Sequence, residues 1–420
     1  MNRIEQFRIN RRQMMTGTTA IAGAAAASTL LPRSSSAQPP GPPSPFSDAV
    51  RDHRWAALRE MMSSSGIDCL VVPTLPGDFT LHYAEYVSNT GGNGVAILSR
   101  SGQALGIGLP PRPGTWHRSV PALPGMLGGA VVDAINELGH ATDNIGVVGT
   151  ATGQTFGLND FSAQGLVLFS LWNEVLSGLP DTEFVEVTPQ FARVAMVKHP
   201  EEIAAHRNAA ALGEELNQFM LESARPGVSD RQFRAAISQF LIMNGATADV
   251  QALEIPPGTL QDGSVINSEM GVRIDGGYAQ VTLCIAIGAV SPLTEQLNEV
   301  AQECFAVGLE LVGPGIRFAD VIEPMEKVVA DASFWHGFPV LHSLSPVVLA
   351  GPVSQAPPPQ GRYTPIRGGD IVLEAGMSLS FEPGARMERR DQVKLGTSGM
   401  VTEDGFDIYN TLGRTLQRVS

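Results

Sequence analysis

The stretch LEAGMSLSFEPG at residues 373–384 decides the fold more than any other part of the chain. Four companion segments, at residues 52–72, 197–203, 277–278 and 401–405, read DHRWAALREMMSSSGIDCLVV, VKHPEEI, GY and VTEDG. Each segment alone is a weak signal. In this order and at these separations, the five together are specific.

The spacing of apolar residues predicts two domains. Between residues 48 and 190, helical patterns alternate with short apolar runs such as CLVV at residues 69–72, which predicts an α/β domain. Longer helical patterns begin near residue 198, and Ser229 is placed to cap a helix over residues 230–243. We therefore expect a second domain over residues 191–420.

The five segments resemble the pita-bread superfamily, whose members include methionine aminopeptidase, aminopeptidase P, prolidase and creatinase. The resemblance implies a creatinase-like α/β N-terminal domain over residues 48–190. It also implies an α+β pita-bread domain over residues 191–420, with a curved antiparallel sheet and the active site on its concave face. Members with this N-terminal domain are commonly homodimers, so the resemblance implies a homodimer here.

The metallopeptidases of this family bind two metal ions through Asp, Asp, His, Glu and Glu, and the ions turn bound water into hydroxide. His342 and Glu382 fit two of these five positions. Met270 and Val281 fit the two Asp positions, and Gly396 fits the last Glu. The resemblance therefore implies a degenerate metal site, and we expect no metal and no other cofactor.

Creatinase is the metal-free precedent in this family, and it hydrolyses a C–N bond. By this resemblance His342 and Glu382 form a catalytic acid–base pair, or else a structural pair retained in an inactive site. Glu254 aligns near the creatinase base histidine and lies between apolar neighbours in sequence. It is a general base if burial raises its pKa, or else a surface carboxylate.

Substrate-binding candidates flank these positions. Arg386 and Arg390 follow the EPG turn, where a guanidinium can bind a substrate carboxylate through two hydrogen bonds, although solvated surface charge is the alternative. Tyr278 is a further candidate or a core residue. His336 is a rival to His342 for the family histidine. The expected partner is a small-molecule substrate or a short peptide.

The first 37 residues have the pattern of an export signal. Arg11 and Arg12 precede a weakly apolar run over residues 16–31, which is typical of a twin-arginine signal. The run is shorter than the ~20 residues that span a bilayer, which disfavours an uncleaved anchor. A Pro-rich linker follows at residues 38–47. These features predict a periplasmic or secreted protein with no membrane association after cleavage.

Composition narrows the class of function. The net charge of −14 disfavours binding to nucleic acid or anionic lipid, because both need Lys and Arg. Three hypotheses remain. The first is a metal-independent hydrolase or lyase of a small C–N-bonded substrate, and the second is a non-catalytic binding protein. The third is an Xaa-Pro-type metallopeptidase with one unusual metal on His342 and Glu382, helped by Asp275 or Glu254.

Overall fold

A computed structural model describes most of the chain after the predicted signal. The described residues are 46–74, 83–123, 125–150, 167–354, 356–357, 361–388 and 391–420. The predicted signal at residues 1–37, most of the predicted linker and Arg390 lie outside them. Within those ranges, no helix combines the length and the apolar character needed to cross a bilayer.

The N-terminal domain is built on one mixed sheet. Its six strands are β1 Cys69–Pro73, β2 Val95–Ser99, β3 Ala104–Ile107, β4 Arg118–Val120, β5 Asn144–Val147 and β6 Glu183–Glu186. Their order in space is β4-β3-β2-β1-β5-β6. The central strand β1 is buried along its whole length, which explains why its sequence is a continuous apolar run.

Helices complete this first domain, as the apolar periodicity predicts. They are α1 Asp48–Ser64, α2 Tyr83–Ser88, α3 Leu127–Glu137, α4 Phe169–Gly178 and α5 Thr188–Met196. Helix α1 turns Trp55, Leu58 and Met62 into a buried apolar cluster that includes sheet residues Leu70 and Leu98. The predicted α/β character of this domain is confirmed.

The second domain has four α-helices among the described residues, and one of them begins at Ser229, the cap that the sequence predicts. The four are α6 Pro200–Ser223, α7 Asp230–Met243, α8 Pro292–Leu311 and α9 Phe318–Asp331. Ser229 accepts a hydrogen bond from the Gln232 amide, and the Gln232 side chain accepts one from the Ser229 amide. This reciprocal arrangement satisfies two amides that the first turn leaves without partners.

In the described part of the second domain, the strands form two four-stranded sheets and a two-stranded ribbon. The strands are β7 Thr247–Glu254, β8 Val265–Ile274, β9 Gly277–Ile287, β10 Leu341–Ser343, β11 Ser378–Phe381, β12 Gly384–Arg386, β13 Gln392–Lys394, β14 Thr397–Thr402, β15 Gly405–Ile408 and β16 Gln417–Val419. The sheets have the orders β16-β9-β8-β7 and β10-β11-β14-β15, and β12 pairs with β13. The sheets meet where the Gln280 amide donates to Ser398 Oγ at 2.9 Å.

A two-residue turn fixes the register of β8 against β9. Asp275 and Gly276 have φ angles of 48° and 78°, and the strands pair directly from either side of them. Positive φ at both central positions is what the tight hairpin turn requires. Because strand side chains alternate between faces, this register decides which residues of the hairpin reach the candidate site.

Buried charges join the two domains. Arg54 in α1 is 2.7 Å from Glu202 in α6, and both side chains are almost inaccessible to solvent. Lys198 Nζ donates to the carbonyl oxygens of Ala195, Met196 and Ser345 at 2.6, 3.1 and 2.5 Å. Burial lowers the pKa of Lys198 to about 7. Lys198 therefore connects the end of α5, through the carbonyls of Ala195 and Met196, to Ser345 in the segment that follows His342.

Candidate active site

The candidate site lies at the meeting of the two sheets in the second domain. Glu269 comes from β8, Gln280 from β9, His342 from β10 and Lys394 from β13, while Glu382 directly follows β11. None of these residues is more than 6% exposed. Charged groups this deeply buried need partners within the protein.

Lys394 lies between two carboxylates. Its ammonium group donates to Glu269 Oε2 and is 3.2 Å from Glu382 Oε2. Gln280 Nε2 donates to Glu269 Oε1 at 2.6 Å and to Glu382 Oε1. The lysine nitrogen is also 3.7 Å from the ring centroid of Phe338. The Lys394 ammonium and the Gln280 side-chain amide thus each contact both carboxylates.

The two carboxylates are electrostatically unlike. Burial opposes ionisation of Glu382, but Lys394 and His342 hold its pKa below the ordinary value. Burial and the neighbouring Glu382 raise the pKa of Glu269. Burial works against the charge on Lys394, yet the two acids raise its pKa. Glu382 is therefore the acid that stays ionised, and Glu269 is the one that takes up a proton more readily.

The backbone fixes the tautomer of neutral His342. Its Nδ1 is 2.8 Å from the carbonyl oxygen of Ser343, which can only accept, so Nδ1 carries a proton. Its Nε2 is 3.6 Å from Glu382 Oε1. In the neutral ring both of these atoms are acceptors, so a proton-bearing group is needed to connect them. The arrangement suits His342 to receiving a proton beside an ionised carboxylate.

The structure corrects the residues assigned to the two family Asp positions: each lies one residue earlier in the chain than expected. Met270 and Val281 pair directly across the hairpin and belong to an apolar cluster on the face away from the site. Glu269 and Gln280, which are also eleven residues apart, face the site and contact Glu382 and Lys394. The sequence analysis missed both of them. Alternation of polar and apolar residues along β8 is the signal that identifies Glu269.

Lys394 was not predicted either, although it is two residues from Gly396, which the resemblance assigns to the last ligand position. A side chain at Gly396 would meet the Phe381 carbonyl oxygen and Thr282 Oγ1, each 2.6 Å from the position of its Cβ. The nearest indication in the sequence was a lysine in a strand whose neighbours, Val393 and Leu395, are apolar.

His336 is bonded to Glu326 and to a backbone carbonyl, and Arg386 packs on two aromatic rings. His336 Nε2 is 2.5 Å from Glu326 Oε2, and its Nδ1 is 2.7 Å from the Phe338 carbonyl oxygen. His342 rather than His336 therefore faces Glu382. The buried Arg386 guanidinium lies over the rings of Trp335 and Phe338, at 5.5 and 4.8 Å from their centroids.

Glu254 and Tyr278 differ in exposure. Of the two alternatives for Glu254, the surface carboxylate is the one that agrees with the structure, because its side chain is 46% exposed at the end of β7. Its neighbours are Arg386 at 3.5 Å and Gln392 at 3.4 Å. Tyr278 is buried under the Arg273 guanidinium, two residues from Gln280 on the same face of β9.

The residues at this centre do not fit a dinuclear metal site. The ammonium of Lys394 already lies against both carboxylates, and a divalent cation beside it would be repelled. Across the described ranges, no group of three or more His, Cys, Asp or Glu side chains has an arrangement that could hold a metal. Asp275 is in the hairpin turn, roughly 20 Å along β8 from Glu269 at the usual strand rise, so it does not supply a missing ligand.

Comparisons with known proteins agree with this architecture. Residues 204–408 match the metallopeptidase family M24. The chain is 23% identical over 253 residues to the Xaa-Pro dipeptidase of Lactobacillus helveticus, which covers 57% of this chain and 66% of that enzyme. It is 26% identical over 239 residues to a methionine aminopeptidase of Clostridium perfringens, which covers 52% of this chain and 90% of that enzyme.

Solved structures match both domains. The Xaa-Pro dipeptidase from Bacillus anthracis superposes with a TM-score of 0.68 at 18% identity, over 88% of this chain and 100% of that one. The X-Pro aminopeptidase from Thermotoga maritima gives 0.66 at 16% identity, over 87% and 99%. The chain therefore has the two-domain fold of these structures, a creatinase-like N-terminal domain followed by a pita-bread domain, and residues 204–408 of its second domain match the metallopeptidase family M24.

Proposed function

We propose that this protein is a metal-independent hydrolase of a small C–N-bonded substrate, such as an amide or a short peptide. Its match to a family of peptidase-like hydrolases supports the reaction class. The observation that carries metal independence is the Lys394 ammonium, bonded to Glu269 and 3.2 Å from Glu382. A positive charge that belongs to the chain takes the place of the divalent cations.

In this proposal His342 and Glu382 move the protons. His342 Nε2, left unprotonated by the Ser343 contact, removes the proton from the group that attacks the substrate carbon. Glu382 stabilises the resulting imidazolium across 3.6 Å. As the C–N bond breaks, His342 returns the proton to the leaving nitrogen, so no charge accumulates on the amine.

The first test is hydrolysis measured on a panel of Xaa-Pro dipeptides and small amides, after exhaustive dialysis against a chelator. Wild-type protein is expected to keep its full rate, and His342→Gln to lose about 100-fold or more in kcat, the usual contribution of a general base. The variant His53→Gln, at an exposed helical position, is the control and is expected to keep the wild-type rate. Full activity of His342→Gln, or activity only with added manganese, contradicts the proposal.

A non-catalytic binding function is the second candidate. Its supporting observation is that the charges of Glu269, Glu382 and Lys394 compensate one another inside a fully buried cluster. Such a cluster also serves as a purely structural core element. Saturable binding of a panel compound that is never turned over, and that is unchanged in His342→Gln, favours this candidate over the hydrolase.

We further propose export by the twin-arginine route and assembly as a homodimer. The export proposal rests on Arg11 and Arg12 before a weakly apolar run, and the dimer on the family resemblance. Fractionation of cells producing Arg11→Lys/Arg12→Lys protein checks the first, because loss of the pair should retain the protein inside. Light scattering checks the second, and a monomer mass contradicts it.

A further inference from the structure

Ser380 holds a distinctive position beside the proposed acid–base pair. It lies on β11 directly opposite His342 on β10, and two residues before Glu382. Directly paired residues of antiparallel strands point to the same face with Cβ atoms about 4.5–5.5 Å apart. The Ser380 side chain therefore neighbours the imidazole on the site face.

The hydroxyl of Ser380 is completely buried and makes no hydrogen bond to the described residues. A buried hydroxyl without a hydrogen bond is destabilising, because the group has lost its contacts with water and gained none in return. Side chains that carry such a cost in a packed interior call for an explanation, and a catalytic role is one.

Nearby serines show how a structural hydroxyl behaves in this region. Ser398, directly opposite Ser380 on β14, donates to the Gln280 carbonyl oxygen and accepts from the Gln280 amide. Ser343 donates to the Pro346 carbonyl oxygen and accepts from two backbone amides. The hydroxyls of Ser398 and Ser343 stabilise the backbone through hydrogen bonds. The Ser380 hydroxyl faces the site and makes no hydrogen bond to the backbone of the described residues.

We propose that Ser380 is a nucleophile that forms a covalent acyl-enzyme with an amide or ester substrate. This inference rests on the proposed function and identifies the attacking group. The Ser380 Oγ–C bond forms while the hydroxyl proton passes to His342 Nε2, and the C–N bond then breaks as His342 protonates the leaving nitrogen. Water next hydrolyses the ester, its proton returning through His342 to Ser380. The nucleophile Ser380 and His342, which acts first as base and then as acid, thus lie opposite each other on neighbouring strands.

The test uses methanesulfonyl fluoride, a small probe chosen because the site is closed. Wild-type protein is expected to gain one sulfonyl group, mapped by mass spectrometry to Ser380, and to lose hydrolysis in step with labelling. His342→Gln should slow labelling about 100-fold, since the base is gone. Ser398→Ala is the matched control and should still be labelled at Ser380.

The variant Ser380→Ala separates catalysis from folding. It should abolish labelling and turnover, and its thermal stability should match or exceed that of the wild type, because an unpaired buried hydroxyl is removed. Turnover retained by Ser380→Ala, or wild-type protein that turns over substrate without being labelled, overturns the nucleophile and leaves the proposed hydrolase standing. Absence of both turnover and labelling in the wild type overturns both.

Discussion

Replacing Lys394 with alanine is expected to create a divalent-cation site between Glu269 and Glu382, where the wild type places an ammonium group. The substitution leaves Glu269 and Glu382 buried within reach of each other and removes the cation between them. A buried carboxylate without compensation is penalised by several kcal/mol, which a hard cation relieves. A gain of about 4 kcal/mol corresponds to roughly 1,000-fold tighter binding.

Titration calorimetry with manganese measures this gain, and metal content after dialysis confirms it. Lys394→Arg is the control, because it keeps a positive charge near the two acids and should bind no more manganese than the wild type. If the wild type itself binds manganese as tightly as Lys394→Ala, then the lysine does not occupy the place of the metal and the proposed function loses its main support.

Replacing Arg54 with methionine is expected to lower the free energy of unfolding by about 3–5 kcal/mol, the range for breaking a buried ion pair from one side. Arg54 meets Glu202 with side chains only 6% and 5% exposed, and it also donates to the Tyr86 carbonyl oxygen at 3.1 Å. Burial disfavours a charged Glu202, but Arg54 and Lys198 hold its pKa below the ordinary value. The variant leaves that carboxylate with much less compensation.

Urea denaturation followed by circular dichroism measures the loss. The pair Arg54→Met/Glu202→Met should recover a large part of it, because no isolated charge remains buried. Arg51→Met is the control: Arg51 pairs with exposed acids in the same helix, and such pairs contribute less than about 1 kcal/mol. Near-normal stability of Arg54→Met would show that the junction does not depend on this pair.

The same pair has a signed dependence on pH. Because the pKa of Glu202 is lowered in the folded protein, its contribution is present above the ordinary glutamate value of about 4.3 and is lost as the pH falls below it. The difference in stability between wild type and Arg54→Met should therefore shrink in acid.

Local signals explain what the sequence reveals about this fold. The cap at Ser229 places the start of α7 to the residue, because capping depends only on neighbouring residues. Helix α9 escaped prediction, and it contains Pro324, a residue that normally ends a helical pattern. His342 and Glu382 were identified from the motifs around them, and the structure brings them within 3.6 Å.

Properties that depend on register were harder to predict. Counting residues from Gly277 gave Met270, whereas the face that each residue presents follows from the hairpin turn. The ion pair between Lys394 and Glu269 forms only when β13 lies beside β8, and these strands are separated by more than a hundred residues along the chain. Local sequence therefore does not predict it. The neighbours of Glu254 in sequence left its exposure open: Leu253 is buried, whereas the Glu254 side chain is 46% exposed, because adjacent residues on a strand face opposite ways.

A positive charge carried by a side chain differs from a bound metal ion in how it reaches the site. Lys394 is part of the translated chain, so its ammonium group meets Glu269 and Glu382 as soon as β8, β11 and β13 fold together. Under the proposed metal-independent mechanism, no ion has to be delivered to the protein or replaced after it dissociates. Activity should then be insensitive to scarcity of manganese or zinc, and to a sequestering agent released by a competing organism.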